Sequence, residues 1–230
     1  MNTASKNGNG IRLMGILMAL AAVIAVFLTE QVIQPSYWIK SAIKVLAFSA
    51  PVLVYSFLSR KGIQETINLR RISRPAPLYF CMLLFFAGTM LLFFIFRNDL
   101  DLAGIRQSLM QKENLSRENC LFVFAYIIFC NSFLEEAFFR GFVFRLFLNK
   151  TGGAMISAVL FSLYHIGIFV TWFSVPLFIL CVAGLAGVGL FLQWVSEKFR
   201  SIAASYVVHA SANISINVIG ALLIFGVIGN

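Results

Sequence analysis

The chain has 230 residues, of which 60% are hydrophobic and 12% charged, and its mean hydropathy is +0.89. A soluble fold cannot hide that much apolar surface, and the apolar runs are long rather than alternating, so helices in a bilayer are predicted. The net charge of +9 resides in short loops with no aromatic-interleaved basic face, which reads as anchoring to anionic lipid headgroups and excludes nucleic-acid binding.

A spanning helix needs about 20 mostly apolar residues, which predicts an all-α, polytopic membrane helix bundle of about eight transmembrane helices. They fall at 12–29, 41–58, 78–96, 119–149, 153–170, 173–195, 201–212 and 213–228. The first follows Lys6 and Arg12 but ends in VFLTEQ without a small-x-small site, so it reads as an uncleaved anchor. Pro51 and Pro176 lie in the second and sixth segments and are expected to kink them.

Between the second and third segments, RKGIQETINLRRISR carries Arg60, Lys61, Arg70, Arg71 and Arg74 against Glu65, a cytoplasmic signature. Ile63 and Ile67, four apart, predict that part of this loop lies flat on the membrane surface. The facing loop, 97–118, balances four basic residues against four acidic ones. With eight spans both termini are cytoplasmic.

The fourth segment is long and leaves the membrane near Arg145 and Lys150. Gly184, Gly187 and Gly189, with Ala183 and Ala186, give the sixth a small-residue face suited to close helix packing. Cys81, Cys120, Cys130 and Cys181 fall in or beside apolar segments and form no CxxC, so they read as buried membrane thiols. No internal repeat divides the chain. Residues 1–118 and the polar-motif half, 119–230, are expected to form a single membrane domain.

That second half places charge where it is expensive. Each charge at the centre of a membrane helix costs about 2.5–3.5 kcal/mol, yet NSFLEEAFFRGFVF holds Glu135, Glu136 and Arg140. Glu136 and Arg140 are four apart, acid first, and can neutralise each other on one face. Glu135 points about 100° away round the helix and must face something else. The two histidines of the chain, His165 and His209, both lie in apolar segments, and Asn213 follows His209 by one turn. At 1.5 Å per residue, Glu135, His165 and His209 lie roughly 21, 18 and 13 Å from the cytoplasmic ends of their helices, so they can meet.

The ordered set EEAFFR, FSLYH and HASAN resembles the EExxxR, FxxxH and HxxxN motifs of the CPBP intramembrane proteases, also called the Abi or type II CAAX-protease family. The resemblance covers about residues 119–215. It implies a multi-helix bundle with a cavity open to the cytoplasm, and hydrolysis of a peptide bond in a peptide or membrane-protein substrate.

A peptide carbonyl needs an activated water and a home for its oxyanion. Glu135 is the candidate general base, His165 would hold and polarise the water, and His209 and Asn213 would donate to the oxyanion. Glu136 and Arg140 would support them. Zinc is the alternative, with Glu135, His165 and His209 as ligands and an open fourth position. No HExxH pairing is present, and Asn213 suits an oxyanion donor better than a metal ligand, so a route without a metal or other cofactor is favoured.

Two other functions are considered. A proton-coupled carrier would also bury Glu, Arg and His, but predicts paired broken repeats that are absent from the sequence. A non-catalytic bacteriocin-immunity or scaffolding protein of the same fold would keep its role without Glu135. The short chain and minimal loops suit a bacterial cell membrane. Substrate and oligomeric state are not written in the sequence.

Overall fold

The computed structural model describes residues 3–60, 62–73, 75–169 and 173–229, and every regular element among them is helical. Helix α1 (Thr3–Leu28) runs on into a wide π turn, Thr29–Ile33, and is followed by α2 (Tyr37–Leu58) and the short α3 (Gly62–Ile67). Next come α4 (Ala76–Phe96), the short α5 (Leu102–Gln107) and α6 (Cys120–Leu146). The chain closes with α7 (Lys150–Phe169), α8 (Val175–Phe199) and α9 (Ile202–Ile224).

Among the described residues, 6 helices are long and apolar enough to cross a bilayer: Gly8–Ile33, α2, α4, α6, α8 and α9. With α7, of 20 residues, they form a multi-pass membrane bundle.

The expected break at 212/213 does not exist, since α9 is one helix from Ile202 to Ile224. Its polar middle suggested an end, but Ser211 and Ser215 donate their hydroxyls to the carbonyls of Val208 and Ala212 at 2.7 and 2.8 Å, so these polar side chains satisfy themselves within the helix. Gly15 on α1 packs near Leu146 and Tyr55, at the ends of α6 and α2 that adjoin the basic loop. The start of α9 is tied to that loop, Ile202 N–H donating to Asn68 O at 3.2 Å and Ser201 Oγ to Arg70 O at 2.8 Å. Its far end meets loop 97–118, where Arg117 donates to Phe225 O at 3.4 Å. Gly15 of α1 and the end of α9 thus lie towards opposite faces of the bundle.

Other local expectations also change. Pro176 sits in the first turn of α8, where its missing N–H leaves no helical bond unmade, so it starts a helix instead of kinking one. Pro51 is buried inside α2, which continues past it to Leu58. In α3, Ile67 is buried against Gly141 of α6 and only Ile63 is free to meet lipid, so this segment is docked on the bundle. Of the three glycines on the small-residue face of α8, only Gly189 makes a close contact: a Cβ there would come 2.9 Å from Ala158 Cα of α7, whereas at Gly184 and Gly187 it would meet nothing within 4 Å. Cys81 and Cys120 are buried, but Cys130 is exposed on the bundle surface.

The main core lies between α1, α2, α6 and α7, and phenylalanine fills it. Phe48 stacks on Phe138 with ring centroids 4.2 Å apart, and Phe139 meets Phe161 edge-on at 5.4 Å. A second core joins α4, α8 and α9. Near the face opposite the basic loop, buried Lys40 of α2 lies 3.1 Å from Glu30 and 2.9 Å from Glu113, tying α1, α2 and loop 97–118 together.

Candidate active site

Helix α6 carries the acidic residues where its winding departs from a regular α-helix. The α turn Ser132–Glu136 sits between two π stretches, Tyr126–Asn131 and Ala137–Phe142. Such wide turns shift the face on which later side chains emerge and recur at functional sites. Glu135, Glu136 and Arg140 are all buried.

The sequence asked what Glu135 faces. Its Oε2 lies 3.8 Å from Nε2 of His165 and 3.8 Å from Nε2 of His209, bringing α6, α7 and α9 to one point. Both separations exceed a hydrogen bond and suit a bridging atom. Oε1 is fully occupied, accepting from Asn131 Nδ2 at 2.6 Å and Tyr164 Oη at 2.9 Å.

Each imidazole is held by its other nitrogen. His165 Nδ1 donates to the Phe161 carbonyl at 2.7 Å, and His209 Nδ1 donates to Glu136 Oε1 at 2.9 Å. With Nδ1 carrying the hydrogen, the neutral form of either ring turns the Nε2 lone pair toward Glu135.

Glu136 also lies 3.1 Å from Arg140 Nη1, forming the buried i, i+4 pair anticipated from the spacing. Arg140 is held further by the Gly189 carbonyl at 3.4 Å and by the Phe161 ring, whose centroid is 4.2 Å from the guanidinium carbon. The small residue at 189 has a purpose here, because it lets α8 approach α7 at Ala158 while its carbonyl reaches Arg140.

Asn213 stands one turn beyond His209 on α9, but its amide donates to Ser132 Oγ at 2.8 Å and, among the described residues, is not hydrogen-bonded to the Glu135 cluster. The structure thus gathers Glu135, His165 and His209, pairs Glu136 with Arg140, and places Asn213 beside Ser132. Sequence reading missed Asn131, Ser132 and Tyr164. Asn131 and Ser132 each precede one of the glutamates by four residues, which is a helix-face signal. It also missed Lys44 of α2, whose Nζ lies 5.2 Å from the centroid of the Tyr164 ring.

A bundle of membrane helices with a carboxylate facing two imidazoles at its core defines a narrow class of membrane protein. Residues 117–215 match the family model described as "Type II CAAX prenyl endopeptidase Rce1-like", a stretch that contains all three motifs, so the family resemblance of the ordered motifs holds over that region. A relative, the UPF0177 protein YxdF of Lactococcus lactis subsp. lactis (strain IL1403), is 34% identical over 80 residues, 35% of this chain. The chain covers 40% of that relative's length. No solved structure matches.

Proposed function

We propose that the chain is an intramembrane endopeptidase that hydrolyses a peptide bond of a peptide or membrane-associated protein without a metal. The observation that supports this reading most is the convergence of Glu135 Oε2 on two imidazole Nε2 atoms, each at 3.8 Å, with both rings anchored from behind.

A water between these groups donates one hydrogen to Glu135 Oε2 and the other to the lone pair of His165 Nε2, which aims its own lone pair at the substrate carbonyl. As the water oxygen bonds to the carbonyl carbon, its proton passes to Glu135 and negative charge collects on the carbonyl oxygen. His209 faces that charge. To donate through Nε2 as well as Nδ1 it must hold a second proton, with Glu136 and Glu135 as counter-charges at its two nitrogens. Asn213 spends one amide hydrogen on Ser132 and has a second for the oxyanion. The C–N bond then breaks, and the leaving amine takes the proton back from Glu135.

Zinc is a second reading, favoured by the two Nε2 lone pairs beside a carboxylate. Ligands of tetrahedral zinc, with bonds of about 2.0–2.1 Å, stand about 3.3 Å apart. The 3.8 Å separations are wider, and no set of three His, Cys, Asp or Glu among the described residues is grouped to hold a metal ion as it stands. The metal reading therefore requires the three groups to close in.

We place the basic face on the cytoplasmic side of a bacterial membrane. The matched family's description names prenyl endopeptidases, so the substrate panel includes a farnesylated CAAX peptide beside unmodified quenched-fluorescent peptides. Wild type, Glu135→Gln and His165→Ala are compared in detergent, with and without a strong zinc chelator. Cleavage lost in both variants and kept with chelator supports the proposal. Cleavage lost with chelator and restored by zinc selects the metal route. A wild type that cleaves nothing in the panel favours the immunity or scaffolding alternative.

A further inference from the structure

A cavity of about 570 Å³ opens between the ends of α6, α8 and α9 on the face of the basic loop. Five cationic side chains line it, Arg70, Arg140, Arg145, Lys150 and Arg200, against one acid, Glu197. Glu197 is already taken, lying 3.4 Å from Lys150 at the exposed rim.

Positive charge on one face of a membrane protein needs no ligand to explain it. The floor of this cavity is different. Arg140 is 2% exposed, and its Nε has no hydrogen-bond partner among the described residues; the same holds for the buried Nε of Arg145. Gln193, also 2% exposed, lines the cavity with an unpartnered Oε1. Orientation in a bilayer requires neither a cavity nor buried guanidinium groups with idle donors. Planar, forked guanidinium donors match phosphate oxygens, and basic pockets between membrane helices on this kind of face hold lipid headgroups. The volume suits a headgroup.

We propose that this cavity is a binding site for a phosphate-bearing anion, supplied by the headgroup of an anionic phospholipid or by free phosphate. Arg145 and Arg200 grip the phosphate near the mouth, and Arg140 Nε meets it at the floor. Arg140 is then shared between the bound anion and Glu136, so the site adjoins the Glu135 cluster. The proposal stands whether or not that cluster hydrolyses a peptide.

The test is thermal unfolding of the purified chain in a non-ionic detergent. It is titrated with dioleoyl-phosphatidylglycerol, with dioleoyl-phosphatidylcholine, and with inorganic phosphate against chloride of equal ionic strength. Wild type is compared with Arg145→Gln/Arg200→Gln. Lys198→Gln is the control, an exposed basic-face residue whose Nζ lies 4.4 Å from the Trp194 ring centroid and which does not line the cavity.

Phosphatidylglycerol should raise the melting temperature of wild type and Lys198→Gln alike. The double variant should bind it about ten-fold more weakly. A response to inorganic phosphate beyond chloride identifies free phosphate as a source, and a response to phosphatidylglycerol alone identifies the lipid. Equal weakening by Lys198→Gln, an unchanged double variant, or no response to either phosphate source overturns the proposal. If the double variant does not fold, Arg200→Gln alone carries the comparison, because Arg200 is exposed.

Discussion

Tyr164 on α7 donates its hydroxyl to Glu135 Oε1 across 2.9 Å, and Asn131, one turn earlier on α6, reaches the same oxygen at 2.6 Å. The carboxylate is thereby made asymmetric. One oxygen is held by two donors, and the other faces the imidazoles. Tyr164→Phe removes one donor while keeping the ring packed on Phe48 and Phe139. A hydrogen bond to a charged group is worth about 1.5–3 kcal/mol, so kcat is expected to fall about 10- to 100-fold with little change in KM. A rise in KM alone would mean that Tyr164 contacts the substrate and does not aim Glu135.

The Glu136–Arg140 pair lies wholly inside the bundle. Arg140→Ala strands a buried carboxylate, and breaking such a pair costs about 3–5 kcal/mol. The expected result is a steep loss of monodisperse protein and a lower melting temperature in detergent. Glu136→Gln/Arg140→Met removes both charges and should recover most of the stability. It should not recover cleavage, because His209 then lacks the carboxylate behind Nδ1.

Gly189 and Gly184 share a helix but not a task. A methyl at 189 runs into the Ala158 backbone, so Gly189→Ala should destabilise by about 1–3 kcal/mol. At Gly184, which is exposed, alanine meets nothing and should be neutral or stabilising by about 0.5–1 kcal/mol. Melting curves of the two variants in the same detergent check the contrast. Equal effects would show that α8 does not pack on α7 through this glycine.

Lys40 neutralises Glu30 and Glu113 from a buried position. Lys40→Met leaves both acids without their cation, and a loss of about 3–5 kcal/mol is expected if the cluster is fully buried, less where Glu113 reaches water. Hydrogen exchange should rise first in loop 97–118, which the contact pins to α2. Exchange rising uniformly instead would deny Lys40 that local role.

Glu135, Glu136, Arg140, His165 and His209 were legible in the sequence because charge and imidazole have few idle uses inside a bilayer. Tyr164 and Asn131 were not, since tyrosine and asparagine occur in membrane helices for many reasons and only the contact gives them meaning. Asn213 was expected beside His209, facing the reaction centre. It meets Ser132 because α6 and α9 run antiparallel: four residues forward from His209 on one pairs with four back from Glu136 on the other. The same polarity that advertised the site hid the true length of α9, since hydropathy falls where Ser211, Asn213, Ser215 and Asn217 cluster, while the backbone continues undisturbed. Lys40 drew no notice at all, because one of its two acids, Glu113, lies 73 residues further along the chain.

The charges of this bundle are unevenly shared between its faces. Arg70, Arg145, Lys150 and Arg200 gather on one against Glu197, while on the other loop 97–118 balances four basic residues against four acidic ones and Lys40 pairs with Glu30 and Glu113. Transmembrane voltage acts on such an imbalance, at about 2.3 kcal/mol for each elementary charge carried across 100 mV. An energised bilayer, negative on the side of the basic face, holds the molecule in one sense of insertion.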